Sequence, residues 1–303
     1  MTRTVGVVTS SRSERHLCEA LVKEMNSGKY DLKAKLIDIR SASYEEEVGD
    51  FSEFQNFDIT ILPADRIEMG QFAYSLFRRN IIFCHFLCGS ISYSNCHDDT
   101  VRWLITLMSN FVFAESPEAR TNVLKIGYPE DRVTITGTSH FDGITAYDIE
   151  ANKPANAPKE PYDLILFNPE TQREGDICCQ YSYKDYVKSP NYIMVAPNED
   201  DPQHTGSIPR LEFLNLLKHC TNFISNSSAT LYEAPYLNKF YGAKINVIKP
   251  SQRNAERTAI PPEYCRGASP IIARWCQEVD IEWLKTPKRL FYKEDRSLAG
   301  LPK

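Results

Sequence analysis

Apolar positions along the 303 residues fall into short runs that alternate with amphipathic stretches. TVGVVTS (4–10) is an apolar run ending in small residues. In the stretch that follows, Leu17, Leu21, Val22 and Met25 share one face, a helical spacing that Gly28 ends. Strands are predicted at 32–39, 58–64 and 80–87, with a helix across 70–78. DTVRWLITLMSN then predicts a helix, FVFAES a strand, PEARTNVLKIG a helix and RVTITG a strand. Strand, helix, strand in this rhythm implies a parallel sheet covered on both faces. NKPANAPKEP (152–161) has no apolar period and reads as a linker, after which the pattern restarts. YDLILFNP (162–169) and NYIMVAPN (191–198) are predicted as buried strands and SIPRLEFLNLLKHC as a helix. TNFISNSS is the next strand, ATLYEAPYL the helix after it, and KINVIKP the last strand. One amphipathic helix is predicted over 270–285.

The expected fold class is therefore α/β, with two Rossmann-like doubly wound domains. The predicted boundaries are 1–151 for the first, joined by the C-terminal segment 270–303, and 162–269 for the second. Ligands of such folds sit at the carboxyl ends of the strands, here in an interdomain cleft.

Composition narrows the classes. Hydrophobic residues are 42% and charged residues 25%, as in a soluble globular chain, and no apolar run is long enough for a membrane span. The net charge is -5, with both signs mixed along the chain, so no nucleic-acid partner is expected. The N-terminus reads as a first strand rather than a leader peptide. Nine cysteines without a CxxC pair fit reduced thiols in a cytoplasm.

FCHFLCGSISYSNCHDD (83–99) carries the ingredients of a metal site, but strand alternation argues against one. On a regular strand Cys84, Phe86 and Cys88 share one face, and Phe83, His85 and Leu87 the other. No metal and no organic cofactor is expected.

FISNSSATLYEAPYL (223–237) carries more chemistry. Asn226, Ser227 and Ser228 end a strand before a helix, where free N–H groups and the helix dipole favour an anion. Glu233 follows with a carboxylate able to accept from a ribose diol. An ordinary N-cap with a surface glutamate reads equally well from these residues alone.

The segment SIPRLEFLNLLKHCTNFISNSSATLYEAPYLNK resembles the C-terminal signature of the hydrolysing UDP-N-acetylglucosamine 2-epimerases, especially the bacterial sialic-acid-pathway type. The likeness recurs in SSRSE, ADR (64–66), NIIFCHFLCGSIS, DDTVRW, FAESPEARTNVLKIGYPEDRVTITG, NPETQ and APNEDD, over roughly residues 5 to 257. It implies a GT-B fold, a homodimer, a UDP-sugar substrate with UDP-GlcNAc foremost, and anti elimination of UDP followed by addition of water. Position by position, it implies phosphate-binding Arg12 and Arg66, catalytic Asp65 and Asp98, and substrate-binding Asn168, Asn198, Ser227, Ser228 and Glu233. Glu14 falls on an acidic position of the motif. The departures touch the chemistry: Leu87 stands where the family has a catalytic glutamate, Asn168 replaces a histidine, and Ser251 an arginine. Two other readings share the scaffold: a glycosyltransferase using a UDP-sugar, and a nucleotide-sugar binder without activity.

Overall fold

The computed structural model describes residues 2–39, 51–92, 97–155, 157–159, 161–167, 186–195, 208–250 and 259–290. The chain opens with β1 (Arg3–Thr9), α1 (Arg12–Met25), β2 (Leu32–Asp38), the short α2 (Ser52–Gln55), β3 (Ile59–Pro63), α3 (Ile67–Arg78) and β4 (Phe83–Cys88). It continues through α4 (His97–Met108), β5 (Phe111–Ala114), α5 (Pro117–Lys125) and β6 (Val133–Ile135). These six strands form one parallel sheet in the order β2-β1-β3-β4-β5-β6. The chain turns back between β1 and β3, so their carboxyl ends flank the switch point where open α/β sheets bind ligands.

A second parallel sheet follows α6 (Ala146–Ala151). It comprises β7 (Asp163–Leu166), β8 (Tyr192–Met194), β9 (Asn222–Ser225) and β10 (Asn246–Ile248), in the order β10-β9-β7-β8. Its switch point lies between β7 and β9. Helices α7 (Arg210–His219) and α8 (Glu233–Phe240) pack on it through Leu214, Leu217, Ala234 and Leu237, all fully buried.

The last elements among the described residues are α9 (Ala268–Glu278) and α10 (Ile281–Lys285), which return to the first sheet. Ala268, Ile272, Ala273 and Cys276 join the core that Val5, Val7, Leu21 and Phe113 form. Trp275 packs on Phe111 and Phe113, and Arg3 donates to the Cys276 carbonyl at 2.7 Å. Arg132 holds the end of α10 by donating to the carbonyls of Trp283, Leu284 and Thr286, with its guanidinium over the Trp283 ring.

Four expectations need correction. The single helix over 270–285 is two, because Val279 is extended and Asp280 caps a new start by accepting from Glu282 N–H. The strand at 191–198 is not buried: β8 is a sheet edge, with Tyr192 49% and Met194 41% exposed. The helix after Ser227 begins as a 3₁₀ turn, Ser228–Thr230, and α8 starts only at Glu233.

The fourth correction concerns β4. Leu87 has φ 60°, and the register with β5 slips between Phe86 and Cys88, so a bulge reverses the alternation there. Leu87 therefore joins Cys84 and Phe86 in the core under α1 and α9, while Cys88 packs on the opposite face with Ala114 and Ala119.

Beside this bulge, at the end of neighbouring β3, Ala64 also adopts a left-handed backbone, φ 59°. A Cβ there costs about 1–2 kcal/mol. Gly89 is the opposite case: its φ is 89°, and a Cβ would lie 2.4 Å from the Ala119 carbonyl. Urea denaturation checks both sites: Ala64→Gly gains about 1 kcal/mol, and Gly89→Ala loses about 2 kcal/mol or more.

Candidate active site

At the carboxyl edge of the first sheet the dominant group is Arg102, on the buried side of α4. Its guanidinium pairs with Asp65, which follows β3, and with Asp99 at 2.6 Å, and it donates to the Ser90 carbonyl at 2.6 Å. Burial alone would lower its pKa, but Asp65 and Asp99, with Glu115, outweigh that and hold it raised. Asp99 in turn accepts from the backbone N–H and hydroxyl of Ser92, pinning the chain beyond Gly89. His85 lies beneath this layer, fully buried. Its Nε2 must donate to the Ala64 carbonyl (2.7 Å), which leaves Nδ1 to accept from Thr106 Oγ1 (2.9 Å). Both nitrogens are thus occupied, and burial lowers its pKa to about 4.

The first turn of α1 completes this edge. Ser11 caps the helix by accepting from Glu14 N–H, and the Glu14 carboxyl turns back to Ser10 N–H (3.2 Å) and Ser10 Oγ (3.1 Å). Burial first, and then repulsion from Asp65, push Glu14 up to about 7. Two hydrogen bonds from Ser10 and the nearby Arg66 only partly offset this.

The second sheet offers a different set. Ser227 caps the 3₁₀ turn, accepting from Ala229 N–H, while its own N–H donates to Ser225 Oγ; Ser228 beside it is exposed. Glu233, the first residue of α8, is 5% exposed and accepts from Arg210 Nη1 at 2.6 Å. Burial raises its pKa, but Arg210 and His140 outweigh that and the net shift is downward, so it is a carboxylate at neutral pH. His140 stacks on Tyr232 with 4.2 Å between ring centroids, and burial lowers its pKa to about 4. Tyr232 crosses to the first sheet and donates to Glu115 Oε2 at 2.6 Å, just beyond β5. The carboxyl ends of the two sheets therefore face each other and are joined by a buried hydrogen bond.

A family model described as UDP-N-acetylglucosamine 2-epimerase matches residues 41–253, more than two thirds of the chain. The chain belongs to the UDP-N-acetylglucosamine 2-epimerase family. A UDP-N-acetylglucosamine 2-epimerase of Neisseria meningitidis serogroup B is 26% identical over 235 residues, covering 68% of this chain and 60% of that one. A hydrolysing UDP-N,N'-diacetylbacillosamine 2-epimerase of Legionella pneumophila is 21% identical over 262 residues, 78% of this chain and 66% of its own. The chain thus spans less than two thirds of the length of these curated relatives. The crystal structure of a Neisseria meningitidis UDP-GlcNAc 2-epimerase bound to UDP-GlcNAc superposes with a TM-score of 0.63. That match has 15% identity and covers 93% of each chain. The fold is accordingly α/β of the GT-B type, with two Rossmann-like halves.

Within this family member the expected residues are distributed unevenly. Asp65 sits in the Arg102 ion pair; Arg66 caps α3 and is half-exposed, its Nε 3.4 Å from Glu68. Asp98 stands beside Asp99 in the first turn of α4, yet Asp99 is the one that grips Arg102 and Ser92. Ser227, Ser228 and Glu233 gather at the second sheet. Arg12 opens α1, but its side chain lies outside the description. Asn168, Asn198 and the 251–257 run, including Ser251, lie outside the described residues. The sequence reading passed over Arg102, Asp99, Glu115, Tyr232, His140 and Arg210. Only the first pair left a local signal, the i, i+3 spacing of opposite charges on one helix. Among the described residues no group of three or more His, Cys, Asp or Glu side chains is arranged to hold a metal.

Glu14 yields a pH test. Its folded pKa exceeds the unfolded value of 4.5, so the folded state holds the extra proton between those limits. Its contribution is fully present below pH 4.5 and is lost as pH rises through about 7. Glu14→Gln keeps the neutral form, so thermal melting should show the variant gaining on the parent from pH 5 to pH 8, by roughly 3 kcal/mol at most.

Proposed function

We propose that this chain is a hydrolysing epimerase acting on a UDP-linked amino sugar, UDP-GlcNAc first, with release of UDP. The observation that carries the reading is the pairing of two unlike edges across one cleft. One edge holds the Asp65–Arg102–Asp99 array, and the other holds Ser227, Ser228 and the ion-paired Glu233. The family membership and the hydrolysing relative from Legionella support the same chemistry.

In this reading a carboxylate removes the C2 proton, the C1–O bond breaks, and the electron pair leaves with the diphosphate. Water then adds to C1 of the glycal and a proton returns to C2 from the opposite face. Asp65 and Asp98 are the proton-handling candidates. Arg12, Arg66, Ser227 and Ser228 stabilise the diphosphate as charge develops on it, with Asn168 and Asn198 as further substrate contacts. Glu233 accepts from the ribose. Arg102 serves Asp65 by fixing its position.

Leu87 is the observation that favours a second reading. It is 8% exposed and packed with Cys84 and Phe86, so no proton can move at that position. A nucleotide-sugar binder without turnover would tolerate such a residue. NMR of UDP-GlcNAc mixed with the protein separates the two: the first reading expects free UDP and the 2-epimer, with Asp65→Asn slower by about 100-fold or more. Calorimetry showing tight UDP binding without any turnover between pH 6 and 9 sinks the epimerase reading and leaves the binder.

The working unit in this proposal is a cytoplasmic homodimer. Tyr74 and Phe77 on α3 and Leu104 on α4 are about half-exposed apolar side chains on two helices packed together, a face suited to a second copy. Among the described residues six buried cysteines are free thiols, and no helix is long and apolar enough to cross a membrane. Light scattering after size exclusion should give twice the chain mass for the parent, and the chain mass for Phe77→Glu.

A further inference from the structure

Five buried side-chain polar atoms among the described residues make no hydrogen bond, and three of them belong to one cluster: His16 Nε2, Arg210 Nε and Glu233 Oε2. They come from α1, α7 and α8. Arg210 and Glu233 are in direct contact at 2.6 Å, and Glu233 Oε1 is 4.0 Å from His140 Nε2. The His140 ring meets the His16 ring edge-on, 6.0 Å between centroids. A buried donor or acceptor left unmet costs about as much as a hydrogen bond lost outright. Three such atoms, from separate elements gathered around His140, leave a demand for polar partners that the protein's own side chains do not meet.

The orphaned atoms define its chemistry. Arg210 Nε–H can only donate and the Glu233 carboxylate can only accept, so the occupant must both accept and donate. A phosphate or carboxylate would be repelled by Glu233, and an ammonium by Arg210. A neutral pair of adjacent hydroxyls meets both demands. His16 fits that partner, because burial, Arg210 and His140 hold its pKa well below the usual histidine value and leave it uncharged. Uncharged imidazole can accept from a hydroxyl or donate to one.

We propose that His16 and Arg210 join Glu233 in a subsite for a vicinal diol of the ligand, with His16 reaching in from the first sheet's leading helix. This rests on the nucleotide-sugar reading above and adds two residues to it. A diol of this kind comes either from the ribose or from the amino sugar.

Isothermal titration calorimetry on the full chain distinguishes the two, using UDP, 2′-deoxy-UDP and UDP-GlcNAc as ligands. For the ribose, the parent binds UDP about tenfold or more tighter than 2′-deoxy-UDP, and His16→Phe and Arg210→Lys bring that ratio close to one. For the amino sugar, UDP and 2′-deoxy-UDP bind alike, and the extra affinity for UDP-GlcNAc over UDP disappears in the same variants. Either pattern supports the subsite. Arg210→Lys risks unsettling the buried Glu233, whereas His16→Phe breaks no ion pair, and matched circular dichroism melts establish that it folds. Unchanged ratios in His16→Phe overturn the subsite and leave water as the occupant, with the nucleotide reading intact. A parent chain that binds no nucleotide overturns both.

Discussion

A guanidinium withdrawn from water must be answered by anions held in fixed positions, and Arg102 imposes that demand on the whole edge of the first sheet. Asp65 answers from the end of β3, Asp99 from its own helix, and the Ser90 carbonyl from the turn after β4. Three separate pieces of backbone are thereby set relative to one positive charge. Asp99 extends the order outward by holding Ser92. Asp65 extends it sideways, since its negative charge is one of the two main reasons Glu14 keeps its proton.

The opposite wall is organised by the same physics with the signs reversed. Glu233 is the buried charge there and Arg210 the partner, with His140 kept neutral between them and the Tyr232 ring. Tyr232 and Glu115 then tie the two walls by a hydrogen bond formed away from water, where such bonds are strongest. Each wall of the cleft thus carries a buried charge compensated by a partner of opposite sign. Leu87 fits this picture: at the bulge its side chain turns into the core rather than adding a charge to the wall.

Much of this could be read from residue patterns, for a definite reason. Strands buried on both faces read as unbroken apolar runs, so β1, β3, β4 and β5 stand out as parallel strands and bring the doubly wound class with them. Edge strands lack that signature, and β8 reads as buried from its apolar residues although Tyr192 and Met194 are exposed. The bulge at Leu87 was invisible because leucine disfavours a left-handed backbone, so no propensity points to one. The site divides similarly. Asp65 follows from the family resemblance, Ser227 and Glu233 also from their own segment, and Asp99 and Arg102 carry the i, i+3 spacing of an ion pair. His140 and Arg210 lie 70 positions apart and meet only through packing of the second sheet on the loop after β6. Glu115 and Tyr232 are separated by 117 positions and have the same history.

The return of α9 and α10 to the first sheet carries a consequence for how the molecule is made. Arg3 is bonded to a carbonyl 273 positions away, and Arg132 to carbonyls more than 150 positions away. During synthesis the apolar face that Phe111 and Phe113 present stays uncovered until Trp275 arrives, long after the strands of the first sheet. The first sheet is therefore completed only after all strands of the second have been made. Contacts at such separation are slow to find, and the exposed face is open to wrong partners meanwhile. The vulnerable stage lies between completion of β6 and the arrival of α9.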